Sequence, residues 1–430
     1  MSLLIKQIFV FFTLFVLYAS LFADESNFEA AEDQQAADLL PTELLKGEHH
    51  QVASTVRSDG YLNYYTIRSD YGEFSAISTA MLKTRVGEIN ALAELDELSQ
   101  TAVFINAAAD AGVGQLKSIK QFAVHPVETV VGIPSGIGRL FKRYSRQVGD
   151  AVDATKEFVA GDDEDDADGT DSESESTSDK AVGLTESFFG VSGAERAWSQ
   201  KLGTDPYSTN EVLKAAIKDV AWAERLGRFG MGFSGVPEIP GADIIGEVND
   251  AVWSKDPYEL QDLNRSRLIE TGADEDLIEA YLENPNLSPS QQTLLTAAIA
   301  EIDGASGRDG ILVQALIAES EAEANFLIKS VTMLAWYHIS QNPVIEITTQ
   351  SAIPTGITAD GTAVMLFAVD HVYWTETMAK VAGIRSLQNP DADREIWFLG
   401  SASQRAREEL MNLGFEVHEG VASMIQTPAG

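Results

Sequence analysis

The chain has 430 residues, 44% of them hydrophobic, a formal net charge of −36 and no cysteine. That apolar content supports packed cores in two or three domains and excludes a wholly disordered chain. The acidity argues against nucleic acid as a partner, because phosphate binding needs a basic face. The missing cysteines exclude disulfides, thiolate metal sites and a cysteine nucleophile.

Residues 1–23 read as a signal peptide. Lys6 supplies the positive end, Ile8 to Phe22 is almost unbroken apolar sequence, and Ala23 precedes the acidic Asp24-Glu25. The apolar run is short for a membrane span, which takes about 20 residues. The expected location is outside the cytoplasm, periplasmic or extracellular, with an anchored protein as the alternative where the segment is retained. Residues 24–50 are acid- and alanine-rich and read as a flexible leader. The pair His49-His50 has no third ligand candidate nearby, so surface histidines are the simpler reading than a metal site.

A domain is expected over 51–160. Tyr61–Ile67 alternates like a strand, Asp70-Tyr71-Gly72 supplies a turn, and Glu73–Ile77 returns as a second strand. Ser78 or Thr79 then starts a helix to about Leu98, with Leu82, Val86, Ile89, Leu92 and Leu95 as its apolar stripe. An alanine-rich helix follows and stops at Gly112.

From Gly114 to Gln147 six basic residues face one acid. In Ile137–Val159 the apolar positions Ile137, Leu140, Phe141, Tyr144, Val148, Val152 and Val159 recur at helical spacing, and Arg139, Lys142, Arg143 and Arg146 lie largely off that stripe. A basic amphipathic helix of this kind can lie on an anionic membrane, dock an acidic partner, or simply pack its apolar face into the domain.

The run 161–180 holds ten acids and one lysine, which leaves −27 elsewhere, and reads as a disordered acidic linker. Glu164, Asp166, Asp168, Gly169, Thr170, Ser172 and Glu175 fall at calcium-loop positions. However, the first position wants Asp, and Asp171 stands where an apolar residue should pack. No metal is therefore assigned.

Residues 181–342 read as a helical domain. Ser208 to Glu211 has capping-box spacing for a helix to about Gly227. Further helices are expected at 258–271, 275–283, 289–302 and 310–340, the last with Leu312, Leu316, Leu327, Leu334 and Trp336 on a broad apolar face and His338 as a core or capping residue. Residues 343–430 change period: strands at Val344–Thr349, Thr362–Val369, Glu395–Leu399 and Phe415–His418 alternate with helices at His371–Gly383 and Ser403–Leu413. The fold class is therefore α+β, predominantly helical, with an N-terminal β-hairpin plus helices, and a helical domain joined to a small α/β sheet of βαβαβ type.

No phosphate-binding loop, dinucleotide-binding glycine pattern, nucleophile elbow or His-Glu-x-x-His is present. No residue is assigned as catalytic, cofactor-binding or metal-ligating, and no cofactor is expected. The leading expectation is a non-enzymatic envelope protein that contacts a protein partner or a membrane surface through the basic helix. The alternative places Asp370, His371, Ser401 and Ser403 together in a hydrolase-like or anion-binding site. If the strands before Asp370 and Gly400 are parallel, both loops open at one sheet edge, the usual ligand position in α/β sheets.

Overall fold

The computed structural model describes residues 28–101, 137–141, 188, 190–226, 246–349, 353–388 and 392–425. It is a mixed helix-and-sheet, α+β structure. In chain order, β1 (Gln34–Gln35), α1 (Ala36–Leu39), α2 (Thr42–Leu45), β2 (His50–Val52), β3 (Thr55–Ser58), β4 (Asn63–Ser69), β5 (Gly72–Ile77) and α3 (Thr79–Ser99) make an N-terminal unit. β4 is its central strand, antiparallel to β5 on one side and to β2 and β3 on the other. The hairpin and the long helix thus lie where the alternation and the stripe place them. Within the stretch expected as a flexible leader, Ala36 and Leu40 are buried in the core, and that anchors the chain from β1 onward.

The helices that follow are α4 (Gly193–Leu202), α5 (Glu211–Leu226), α6 (Gly246–Ser254), α7 (Pro257–Glu270), α8 (Glu275–Leu282), α9 (Pro289–Glu301), α10 (Gly310–Ile317) and α11 (Glu321–Ser340). Two expectations need correction. Asn210, not Ser208, caps α5: its Oδ1 accepts the Leu213 N–H, while the Ser208 hydroxyl turns to Glu88. The single helix expected over 310–340 is two, because Ser320 accepts the Glu323 N–H and starts a new helix. Leu312 and Leu316 therefore sit on a different helix from Leu327, Leu334 and Trp336. His338 ties the end of α11 to the next strand rather than capping the helix, its Nδ1 accepting the Val344 N–H at 3.0 Å.

The C-terminal part comprises β6 (Val344–Thr348), β7 (Thr355–Thr358), β8 (Ala363–Phe367), β9 (His371–Val372), α12 (Glu376–Gln388), β10 (Arg394–Phe398), β11 (Ser401–Ala402), α13 (Gln404–Asn412), β12 (Phe415–His418) and α14 (Ala422–Ile425). Its main sheet has the order β12-β10-β8-β7-β6. β12, β10 and β8 are parallel, while β7 is antiparallel to both neighbours. The helix expected from His371 begins only at Glu376. His371 and Val372 instead pair in parallel with Ser401 and Ala402, and Thr375 caps the helix by accepting the Met378 N–H.

Two buried apolar clusters hold the molecule, and both cross between sequence-distant parts. One joins Tyr61, Leu62, Ile137, Leu140 and Phe141 to the helices α6–α11 and the C-terminal sheet. The other joins the N-terminal sheet and α3 to Trp198, Leu213, Ile217 and Val220 of α4 and α5. Phe141 is central to the first cluster, stacked on Tyr61 at 4.4 Å and on Phe367 at 6.0 Å.

Candidate functional site

β8 and β10 run in register from Ala363↔Arg394 to Phe367↔Phe398, so their carboxyl ends emerge side by side. Gly400 makes this possible. A Cβ there would lie 2.0 Å from the Asp370 carbonyl oxygen and 2.8 Å from that of Val369. Its N–H donates to Val369 O, and the next N–H, of Ser401, donates to Asp370 O. The two chains then continue as β9 and β11 with His371 opposite Ser401. Their side chains meet, His371 Nδ1 to Ser401 Oγ at 2.7 Å. The Tyr373 ring stands edge-on to the imidazole at 4.7 Å. Burial pulls the His371 pKa below its ordinary value, with Arg407 acting the same way and Glu29 and Glu419 opposing. Burial therefore favours the neutral ring.

Asp370 does not join this pair. Its half-buried carboxylate points to the N-terminal unit, where it accepts the Asn63 N–H at 2.9 Å and the Thr79 N–H at 2.9 and 3.2 Å. It thereby sits at the first turn of α3, where the helix dipole favours an anion. Burial nevertheless raises its pKa against those hydrogen bonds. Ser403 is turned away as well: its Oγ caps α13 through the Ala406 N–H and donates to Glu29 Oε2 at 2.5 Å.

Nucleophilic chemistry at a serine needs a histidine oriented by an acid and free N–H donors for the oxyanion. Among the described residues no acid is hydrogen-bonded to His371, and the nearby donors are taken. The Ser401 N–H bonds Asp370 O, and the Ala402 N–H bonds Glu419 Oε2 at 2.8 Å. Glu419 is in turn paired with Arg407 at 2.5 Å. Burial works to raise the Glu419 pKa, but Arg407 and the Ala402 N–H outweigh it and hold the carboxyl below its ordinary value. The Trp374 N–H bonds Glu29 Oε2 at 2.6 Å. The donors that would greet an anionic ligand at this edge are therefore already filled by two of the protein's own carboxylates.

A second candidate lies where α3, α4, α5 and the start of α11 meet. Arg85 and Glu88, both buried, pair at 2.7 Å; Ser208 Oγ and Asn210 Nδ2 donate to Glu88 at 2.5 and 3.0 Å, and Arg85 donates to Thr209 at 2.7 Å. Burial alone would lower the Arg85 pKa, but Glu88 and Glu321 overcome it and raise it. Beside this network lies a cavity of about 390 Å³ lined by residues that include Glu195, Asp205, Glu211, Lys214 and Lys218. Asp205 Oδ1 accepts the Ser290 hydroxyl at 2.5 Å and the Tyr207 N–H at 2.8 Å. Burial lifts its pKa from 3.8 to about 6, with Glu88 and Glu321 adding to the rise and the two hydrogen bonds opposing it.

Sequence reasoning missed Glu29, Arg85, Glu88, Asp205 and Glu419. A signal existed for one of them: Arg85 falls three residues after Leu82 and four before Ile89, on the apolar stripe itself, where a charge needs a buried partner. Of the basic stretch, Arg139 is exposed, on a helical turn whose Ile137, Leu140 and Phe141 are buried. Lys142, Arg143 and Arg146 lie outside the described residues, as do the segment expected as a signal peptide, the helix expected before Gly112 and the calcium-loop positions 164–175. His49 contacts Asp70 at 3.2 Å and His50 the Leu44 carbonyl at 3.2 Å, and among the described residues no cluster is suited to a metal ion. Comparison with protein-family models, curated proteins and solved structures finds no match to this chain.

Proposed function

We propose that the protein is an exported, non-enzymatic envelope protein that binds an acidic partner protein through its basic stretch. One observation carries this reading: the turn at 138–141 spends its apolar side chains inside the core and leaves Arg139 outside. Lys142, Arg143 and Arg146 follow directly in sequence. A contact made through these basic side chains is electrostatic and weakens as salt rises. The filled donors at the sheet edge support the non-enzymatic part of the reading.

The test is the fourfold variant Arg139→Gln, Lys142→Gln, Arg143→Gln, Arg146→Gln, with immobilised poly-glutamate as probe. Salt-sensitive binding by the parent protein that the variant loses supports the reading. Equal binding by both removes its basis, and binding to anionic vesicles alone moves the contact to lipid.

The 2.7 Å contact between His371 and Ser401 favours a second reading, a hydrolase-like site at the sheet edge. A fluorophosphonate probe that labels Ser401 in the full chain, and fails to label the Ser401→Ala and His371→Asn variants, supports it. Absence of labelling on the parent protein ends it.

A further inference from the structure

Residues 28–35 pass from the carboxyl edge of the C-terminal sheet, which Glu29 and Gln34 touch, into the N-terminal sheet, which they join as β1. None of them is buried; burial begins at Ala36. Their position is fixed by hydrogen bonds that converge on one side chain. The Glu29 N–H donates to the Trp374 carbonyl at 2.8 Å. Glu29 Oε2 accepts both the Trp374 N–H at 2.6 Å and the Ser403 hydroxyl at 2.5 Å. Further along, Gln34 Nε2 donates to the Tyr373 hydroxyl at 2.6 Å, and Gln34 and Gln35 pair with Val56 and Thr55 of β3.

The two loops that Glu29 clasps are those that carry His371 and Ser401. We infer that residues 28–35 are a releasable strap, latched by the Glu29 carboxylate, that closes the carboxyl edge of the sheet. A segment held by hydrogen bonds without buried apolar side chains opens at a small fraction of the cost of global unfolding. Opening frees the Trp374 N–H and the Ser403 hydroxyl together and takes a negative charge away from the His371–Ser401 pair. The inference rests on these contacts and is independent of either functional reading.

Hydrogen exchange followed by mass spectrometry on the full chain tests it. In Glu29→Ala, amides of residues 29–35 and of Trp374 should exchange about tenfold faster or more, the effect of losing a charge-assisted hydrogen bond. Amides of α11 should not change. Gln34→Ala, which leaves the carboxylate in place, should accelerate the same amides to a lesser degree. Unchanged exchange in Glu29→Ala overturns the latch. Equal acceleration in α11 overturns it too, because Glu29 would then support the whole fold. Acceleration in Gln34→Ala confined to residues 34–35 overturns the strap as a unit.

Discussion

Asp205→Asn tests the electrostatics of the buried junction most directly. The substitution keeps the shape and the Oδ1 acceptor used by Ser290 and Tyr207, and it removes the charge. The folded-state pKa of Asp205 is raised from 3.8 to about 6, with burial the largest cause. A raised carboxyl pKa means that the folded protein binds the proton more tightly than the unfolded chain. The ionised form therefore costs stability at neutral pH, and the cost is relieved as pH falls from above 6 towards 3.8. At about 1.4 kcal/mol per pH unit the full cost is about 3 kcal/mol. The variant should be more stable than the parent by up to that amount at pH 7.5, and the advantage should shrink to near zero by pH 4. Urea denaturation at a series of pH values measures this, with fluorescence as the readout, since Trp253 donates to the Thr204 carbonyl beside the site. Carboxylates remote from the site titrate alike in both proteins, so the difference between the two curves reports Asp205 together with its coupling to Glu88 and Glu321. A difference that does not vary with pH, or a variant less stable at pH 7.5, would refute the reasoning.

Three further substitutions probe the joints of the fold. Asp370→Ala strands the N–H groups of Asn63 and Thr79 and should cost about 2–4 kcal/mol in urea unfolding, while Asp370→Asn retains an acceptor and should cost less; equal costs would show that the carboxylate is not the tie. Gly400→Ala forces a Cβ against the backbone of Val369 and Asp370 and should lower stability by about 1–3 kcal/mol or more; an unchanged unfolding midpoint contradicts the close approach. Arg85→Met leaves Glu88 buried without its cation and should cost about 3–5 kcal/mol, partly recovered when Glu88→Leu is added; no recovery in the double variant would place the loss in packing instead of charge.

The elements that could be read from the sequence are those whose signal is local. The alternation of Tyr61–Ile67, the stripe from Leu82 to Leu95 and the run of C-terminal strands each carry their own periodicity. β7 was invisible because four residues with a glycine give no alternation. Gly356 is there so that the strand can pass Leu334 and Val344, a tertiary reason. The break at Ser320 competes with a continuous apolar pattern, and capping wins because Ser320 satisfies an otherwise orphaned N–H. At the sheet edge, the meeting of His371 with Ser401 followed from parallel strands. The diversion of Asp370 did not, since its partners Asn63 and Thr79 lie some three hundred residues away in sequence. Glu29 was unreadable for the same reason, since its partners Trp374 and Ser403 lie far along the chain; Glu419 has near partners in Arg407 and Ala402, but a single acid after a short strand carries no periodic signal.

The clasp between Asp370 and the start of α3 also bears on the order of folding. The helix that begins at Thr79 receives this cap from a residue synthesised 291 positions later. Tyr61 and Leu62 likewise find their apolar surroundings beside Phe367 and Val369 of the last sheet. Contacts of such long range close slowly, because the entropy of the intervening loop is lost before they form. The amino-terminal unit therefore cannot complete its structure while the chain is still emerging. Its ties to Asp370, Phe367 and Val369 form only once the carboxyl-terminal strands are in place.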